Sequence, residues 1–386
     1  MSRKKSHQNM TRKEFLKHCL WSSLGLSLAP AGVLARGQTQ ARVPRKGFVS
    51  PRVASHYRVL EDGFVWCQLC PQMCVIGPGQ RGECGVREQS NGQLMTLAYG
   101  NPCAVHLDPI EKKPLLHFLP GSSSYSIATA GCNLHCKNCQ NWEISQRRPE
   151  ETYNFDLPPE KLVAEALQTG CRSISYTYSD PNVFFEYVMD TAALAHEKDL
   201  KNVLVTAGYI NPVPQKELCS LVDAANVDLK GFTESFYRDI CSGQLKPVLD
   251  ALVLYKQEGV WLEVTNLVLP TLNDDSQQIR EMCRWLVNNL GDDVPLHFSR
   301  FHPMYRLKNL PPTPVETLDR ARNTALDVGL KYVYVGNVPG HQGESTRCPQ
   351  CGQVVIGRIG YSITQMNLEN GRCRFCQEDI SGVWGP

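Results

Sequence analysis

Three cysteines at C-x3-C-x2-C spacing, Cys132, Cys136 and Cys139, stand in the run Gly131-Cys132-Asn133-Leu134-His135-Cys136-Lys137-Asn138-Cys139-Gln140-Asn141-Trp142. Three thiolates on so short a loop can hold three irons of a 4Fe–4S cluster, and no fourth cysteine follows at ferredoxin spacing. The remaining iron would then keep a free coordination position, as catalytic metal sites do and closed structural sites do not. A zinc loop completed by a distant fourth ligand is the alternative, although zinc sites favour paired C-x2–4-C ligands.

Two further cysteine groups flank this loop. Cys67, Cys70, Cys74 and Cys84 fall within one short segment whose glycines, Gly79, Gly82 and Gly85, permit tight turns, so they read as a self-contained metal knuckle. Thiolate softness suits zinc or a second iron–sulfur cluster there, and a disulfide pair is the remaining alternative. Near the C-terminus, Cys348-Pro349-Gln350-Cys351 and Cys373-Arg374-Phe375-Cys376 form two C-x2-C pairs with a strand-rich stretch, 357–366, between them. That is the zinc-ribbon arrangement, with rubredoxin-type iron as the other metal of the same geometry. In so small a module the metal would supply most of the folding energy.

The chain carries 17 cysteines in 386 residues, and their spaced grouping points to metal ligation in a reducing compartment rather than a disulfide framework. The scattered ones, Cys19, Cys103, Cys171, Cys219, Cys241 and Cys283, read as small buried hydrophobes. A net charge of +2 without long basic runs gives no sign of a nucleic-acid partner. A hydrophobic content of 42% leaves a sizeable core available.

The elements that must position the central loop alternate. Strand-like runs at 122–130, 173–178, 202–206, 226–230, 261–269 and 295–301 alternate with helix-like ones, among them 159–169, 183–198 and 315–327. A further edge strand is expected near 332–335. Six β/α units predict an α/β fold, an open partial (β/α)6 barrel, whose chemistry gathers at the C-terminal strand ends. Those ends offer the three loop cysteines first, then Ser179 and Asp180, then Thr206, then Asp228 and Lys230. The fifth offers Glu263 and Asn266, the sixth His297, Arg300 and His302. Alternation puts Asp228 and Lys230 on one face, a charged pair suited to a zwitterion such as an amino acid, or a structural ion pair sealing the barrel. Asp180 can accept from an ammonium group, or it can simply start an Asp-Pro turn. His297 reads as structural.

The motif Gly-Cys-Asn-Leu-x-Cys-x-x-Cys-Gln-Asn resembles that of the radical SAM superfamily, in its glycyl-radical-activating branch related to pyruvate formate-lyase-activating enzymes. Joined to the Cys67 module and the run Asp108-Pro109-Ile110-Glu111-Lys112-Lys113-Pro114, it resembles the radical SAM enzyme of the AmmeMemoRadiSam system over residues 60–385. The resemblance implies S-adenosylmethionine (SAM) chelated by the open iron of a 4Fe–4S cluster at Cys132, Cys136 and Cys139. One electron from a flavodoxin- or ferredoxin-type donor would yield a 5′-deoxyadenosyl radical that takes hydrogen from a substrate. It further implies SAM contacts at Ser179 and Asp180, where relatives carry Gly-Gly-Glu-Pro, and at Thr206, Asp228 and Lys230. His302 lies in a Phe-His-Pro similar to the Tyr-His near the nucleotide in relatives. Three functions are compatible: hydrogen abstraction from a small molecule or an AmmeMemoRadiSam partner, activation of a glycyl-radical protein, or a non-catalytic electron carrier.

Residues 1–36 are basic and then apolar, ending Val33-Leu34-Ala35, and resemble a twin-arginine export signal with Lys13 at the second arginine. A disordered basic leader on a cytoplasmic protein is the other reading. The expected organisation is therefore this leader, a cysteine module and lead-in at 60–121, the barrel at 122–340 and the zinc-ribbon-like module at 341–386.

Overall fold

The structure, a computed structural model, describes residues 43–385, so the 1–36 leader and Cys19 lie outside the described residues. Eight strands form the central sheet: β1 (Ala104–Pro109), β2 (Ser123–Ala128), β3 (Ser173–Tyr176), β4 (Lys201–Thr206), β5 (Ala224–Asp228), β6 (Trp261–Val268), β7 (Leu296–Arg300) and β8 (Val333–Gly336). They lie in sequential order. Strands β2 to β8 are all parallel. Six helices make the crossovers: α1 (Pro159–Gln168), α2 (Phe185–His196), α3 (Pro212–Cys219), α4 (Leu245–Gln257), α5 (Ser276–Leu290) and α6 (Val315–Val328). Each β-helix-β step in sequential order winds the same way, which brings all C-terminal strand ends to one side.

The local reasons are ordinary. Helix α5 buries Ile279, Met282, Cys283, Leu286 and Leu290, a stripe at helical spacing, and the Asp275 side chain caps it by accepting from Gln278 N at 2.9 Å. Helix α1 starts with Pro159 in its first turn and is followed by Gly170 at φ +70°. Strands β3 and β4 are covered on both faces, with Ile174, Tyr176, Val203 and Leu204 fully buried.

Three features depart from the sequence expectation. Strand β1 adds an antiparallel edge, pairing Ala104 with Ala128 through Pro109 with Ser123. Helices α4 and α5 fill connections for which no helix was named. The fourth expected strand ends at Asp228 rather than Lys230, so the two charged residues do not alternate on one strand. The edge strand near 332–335 is present as β8.

The segment carrying Cys348 to Cys376 forms a three-stranded antiparallel sheet, Thr346–Arg347, Val354–Ile359 and Ser362–Met366. It packs on the sheet through a buried polar cluster. Arg358 Nη2 donates to Leu116 O at 2.6 Å, and Arg358 Nη1 to Thr346 Oγ1 at 2.8 Å. Glu263 accepts from the backbone of Leu116 and His117 and bonds His297 Nε2 at 2.7 Å. His117 Nδ1 donates to Ser381 O at 2.6 Å, so the neutral ring leaves Nε2 to accept from the Tyr334 hydroxyl.

Burial pulls His117 down to about 4 from an ordinary 6.5, against the pull of Glu263. The unfolded chain therefore takes up this proton before the folded one does. Stability from the neutral ring is complete above pH 6.5 and is lost as pH falls toward 4. Between pH 7.5 and 5 the loss is about 2 kcal/mol. Thermal unfolding midpoints should thus fall more steeply over that range in the native protein than in His117→Gln. Equal slopes would refute the assignment.

Candidate active site

The central loop leaves the C-terminal end of β2 through Gly131, at φ +95°. A Cβ there would lie 2.5 Å from Val86 Cγ1 and 2.6 Å from Cys84 O, so only glycine lets the N-terminal cysteine segment pack this closely. Backbone bonds then fix the loop: Gly131 N to Ile144 O at 3.0 Å, His135 N to Cys241 O at 3.0 Å and Lys137 N to Ile240 O at 2.9 Å. Asn133 Nδ2 donates to Tyr209 O at 2.7 Å, and Gln146 Nε2 to Leu134 O at 3.0 Å. A loop held at so many points presents its cysteines without further ordering.

Cys132, Cys136 and Cys139 all line one cavity of about 510 Å³ at the C-terminal ends of the parallel strands. Residues on or just after each of β2 through β8 contribute to its wall. Burial pushes the Cys132 and Cys139 thiols up. Cys136 is held down instead, because the Cys241 thiol donates to its sulfur. Cys241 closes a π-type turn, Tyr237–Cys241.

The other sequence-predicted residues are distributed as follows. Ser179, Asp180, Thr206, Asp228 and Lys230 line the same cavity. Ser179 Oγ donates to Thr129 O at 2.8 Å, and the buried Asp180 carboxylate accepts from Asn182 N at 3.0 Å, Ala207 N at 2.9 Å and Thr206 Oγ1 at 3.2 Å. Burial pushes Asp180 up, while these donors and Lys230 restrain the rise. Lys230 Nζ donates to Asp228 at 2.9 Å. Burial opposes its charge, but Asp228 and the neighbouring Cys136 sulfur keep it a cation. His302 does not join them; it is exposed and outside the cavity wall. His297 lines the cavity but is engaged by Glu263.

Several lining residues have no role that the sequence alone assigns. Tyr178 adopts φ +63°, a left-handed conformation uncommon for a residue other than glycine. Asn141 Nδ2 holds its carbonyl at 2.9 Å, and its hydroxyl donates to Asp108. Asp108 also accepts from Lys112 at 2.8 Å and Lys113 at 2.6 Å. Burial works against its charge, and these three donors overcome it and hold Asp108 well below the carboxylate range. Burial brings Lys113 down to about 8, against the Asp108 bond. Across the cavity, Glu344, Arg358 and Tyr361 come from the C-terminal segment. Glu111 Oε2 and Arg358 Nε are buried there without a partner.

The donor set fits an iron–sulfur cluster with one open iron. Three sulfurs come from one ordered loop, and among the described residues no fourth cysteine lines the cavity. An ion pair suited to an amino acid's ends stands beside them. The C-terminal sulfurs are arranged differently. Cys348 and Cys376 are 3.5 Å apart, Cys351 and Cys373 3.7 Å apart, and all four lie within 4.8 Å of one another. A tetrahedral metal with sulfur bonds near 2.3 Å requires edges of roughly 3.8 Å. Every described cysteine is a free thiol. Of the scattered ones, Cys171, Cys219, Cys241 and Cys283 are buried, and Cys103 is partly so.

The Radical SAM superfamily model matches residues 126–286, a span that holds the three loop cysteines and the strand ends through β6. An uncharacterised protein of Methanocaldococcus jannaschii is 46% identical over 334 residues, 86% of this chain and 99% of that protein. The pyruvate formate-lyase-activating enzyme of Clostridium pasteurianum is 23% identical over 222 residues, 52% of this chain and 87% of that enzyme. Among solved structures, a radical SAM methyltransferase from Sphaerobacter thermophilus matches at 17% identity and a TM-score of 0.45, over 58% of this chain and 70% of that one. With its cysteine loop lining the cavity and a superfamily profile that covers that loop and the strands β2 to β6, this chain belongs to the radical SAM superfamily.

Proposed function

We propose that the protein reductively cleaves SAM and uses the resulting radical to take hydrogen from a substrate held in the same cavity. The observation that carries this reading is the convergence of Cys132, Cys136, Cys139, Asp180, Asp228 and Lys230 on one pocket. When bound, cluster and SAM together supply one-electron cleavage of the S–C5′ bond to methionine and a 5′-deoxyadenosyl radical, with a flavodoxin- or ferredoxin-type protein as donor. The chain's part is binding, orientation and exclusion of water. The three thiolates would hold the cluster, Lys230 would pair with the methionine carboxylate, and Asp228 and Asp180 would receive its ammonium group, with Thr206 bracing Asp180 and Ser179 anchored on Thr129 O beside it.

The cavity also favours a small substrate bearing an anionic group. Lys113 lines it on one side and Arg358 on the other, both cationic side chains. The combined cysteine motifs support a reading as an AmmeMemoRadiSam radical SAM enzyme, and the convergence of the C-terminal four thiols supports zinc there. A second reading, activation of a glycyl-radical protein, is supported by the similarity to the Clostridium enzyme.

The test is anaerobic reconstitution with iron and sulfide, then dithionite and SAM, with 5′-deoxyadenosine measured by mass spectrometry. Product is expected. A well-formed cluster that yields none would overturn the proposal in favour of an electron carrier.

A further inference from the structure

We infer that Cys67, Cys70, Cys74 and Cys84 hold a second 4Fe–4S cluster, through which electrons reach the one at Cys132, Cys136 and Cys139. The relay part rests on the proposed SAM cleavage; the cluster itself does not.

All four sulfurs line one small cavity, together with Arg87, Asn133 and an apolar shell. Arg87 is 2% exposed. Its Nη1 donates to Ser55 O at 2.8 Å and its Nη2 to Glu186 at 2.5 Å, but its Nε is buried without a partner. A buried cationic donor left unmatched is costly, and Glu186 answers only the outer end of this guanidinium. Four thiolates around a metal centre carry the net negative charge that would complete it.

Sulfur spacing separates the two metals. The C-terminal four converge within 4.8 Å, as a single tetrahedral ion demands. Among the described residues, no three of the N-terminal four converge that closely, and neither do Cys132, Cys136 and Cys139. A cubane places each thiolate on a different iron and so spreads them beyond a zinc tetrahedron's edge. The N-terminal quartet thus lacks the convergence that marks the C-terminal one.

Position supplies the role. Cys84 O and Val86 pack directly against Gly131. Gln72 Nε2, between Cys70 and Cys74, donates to Asn133 O at 2.9 Å and Ser242 O at 3.1 Å. Asn133 thus adjoins Cys132 in sequence and lines the quartet's cavity in space. Val75, beside Cys74, is 60% exposed and Glu83, beside Cys84, is exposed, so the quartet lies close to a surface that a donor protein can reach. One electron from a flavodoxin- or ferredoxin-type protein would reduce the quartet's core from 2+ to 1+. It would pass to the loop cluster, reoxidising the first, and end in the S–C5′ bond of SAM as that bond breaks. No proton moves and no bond changes at the relay.

The experiment uses the full chain, reconstituted anaerobically, with iron, sulfide and zinc measured and dithionite-reduced samples read by EPR. Native protein should carry about twice the iron and sulfide of Cys70→Ala/Cys74→Ala. The triple variant Cys132→Ala/Cys136→Ala/Cys139→Ala should retain the other half, with a reducible cluster signal indifferent to SAM. A triple variant without cluster iron, or with zinc at the quartet, overturns the assignment. With both clusters present, flavodoxin-driven SAM cleavage should slow about tenfold or more in Cys70→Ala/Cys74→Ala while dithionite-driven cleavage persists. Equal rates from flavodoxin with and without the quartet overturn the relay. Failure of SAM cleavage itself appears separately, as two intact clusters with no product from either donor.

Discussion

Cys136→Ala loses the loop cluster, by about four irons per chain, and with it all detectable 5′-deoxyadenosine. The loop has no substitute thiolate of suitable placement. Cys241 is near, but its thiol is hydrogen-bonded to the Cys136 sulfur and its backbone is fixed by His135. Cys241→Ala is the informative partner. It should keep the cluster and lower the rate by about tenfold to a hundredfold, as expected when a hydrogen bond to a ligand sulfur is removed. Both variants are measured by iron content and product yield. If Cys241→Ala also loses the cluster, Cys241 is a fourth ligand, the open iron disappears and the electron-carrier reading gains. Loss at Cys136 alone leaves the open position where SAM chemistry requires it.

Cys373→Ala should dismantle the C-terminal segment and the far wall of the cavity with it. Closed four-thiolate zinc sites in small peptides are worth about 10–16 kcal/mol of apparent binding energy, nearly all of it folding energy. The local apolar cluster is small, led by Val355, Ile356, Ile380 and Tyr332. It cannot hold the strands once the tetrahedron is gone. Limited proteolysis should cut between 346 and 376 in the variant and spare the native protein, with one zinc lost per chain. Because Arg358 reaches Leu116 from this segment, substrate binding should fall even where SAM still binds. Unchanged protease resistance with zinc lost would show that the metal is not structural.

The cysteine groups were legible in sequence because their spacing is short-range. Cys348, Cys351, Cys373 and Cys376 could be grouped as two pairs before any coordinates, and the structure brings their sulfurs together. The β/α alternation was equally legible, since strand and helix periods are local properties of the chain. Strand β1 was not, because an antiparallel edge depends on which neighbour it meets and not on its own six residues.

By itself, then, the sequence determined three cysteine groups, an α/β sheet and the strand ends at which Asp180, Thr206, Asp228 and Lys230 would stand. Tertiary structure alone decided what surrounds them. Cys241 lies against Cys136 though far from it in the chain, Arg358 closes a cavity whose floor is at Cys132, and Tyr178 holds a left-handed turn because Asn141 and Asp108 grip it. His302, which shares a strand end with the others in sequence, points instead into solvent. Contacts between distant segments depend on how packed elements meet, and residue spacing carries no record of that.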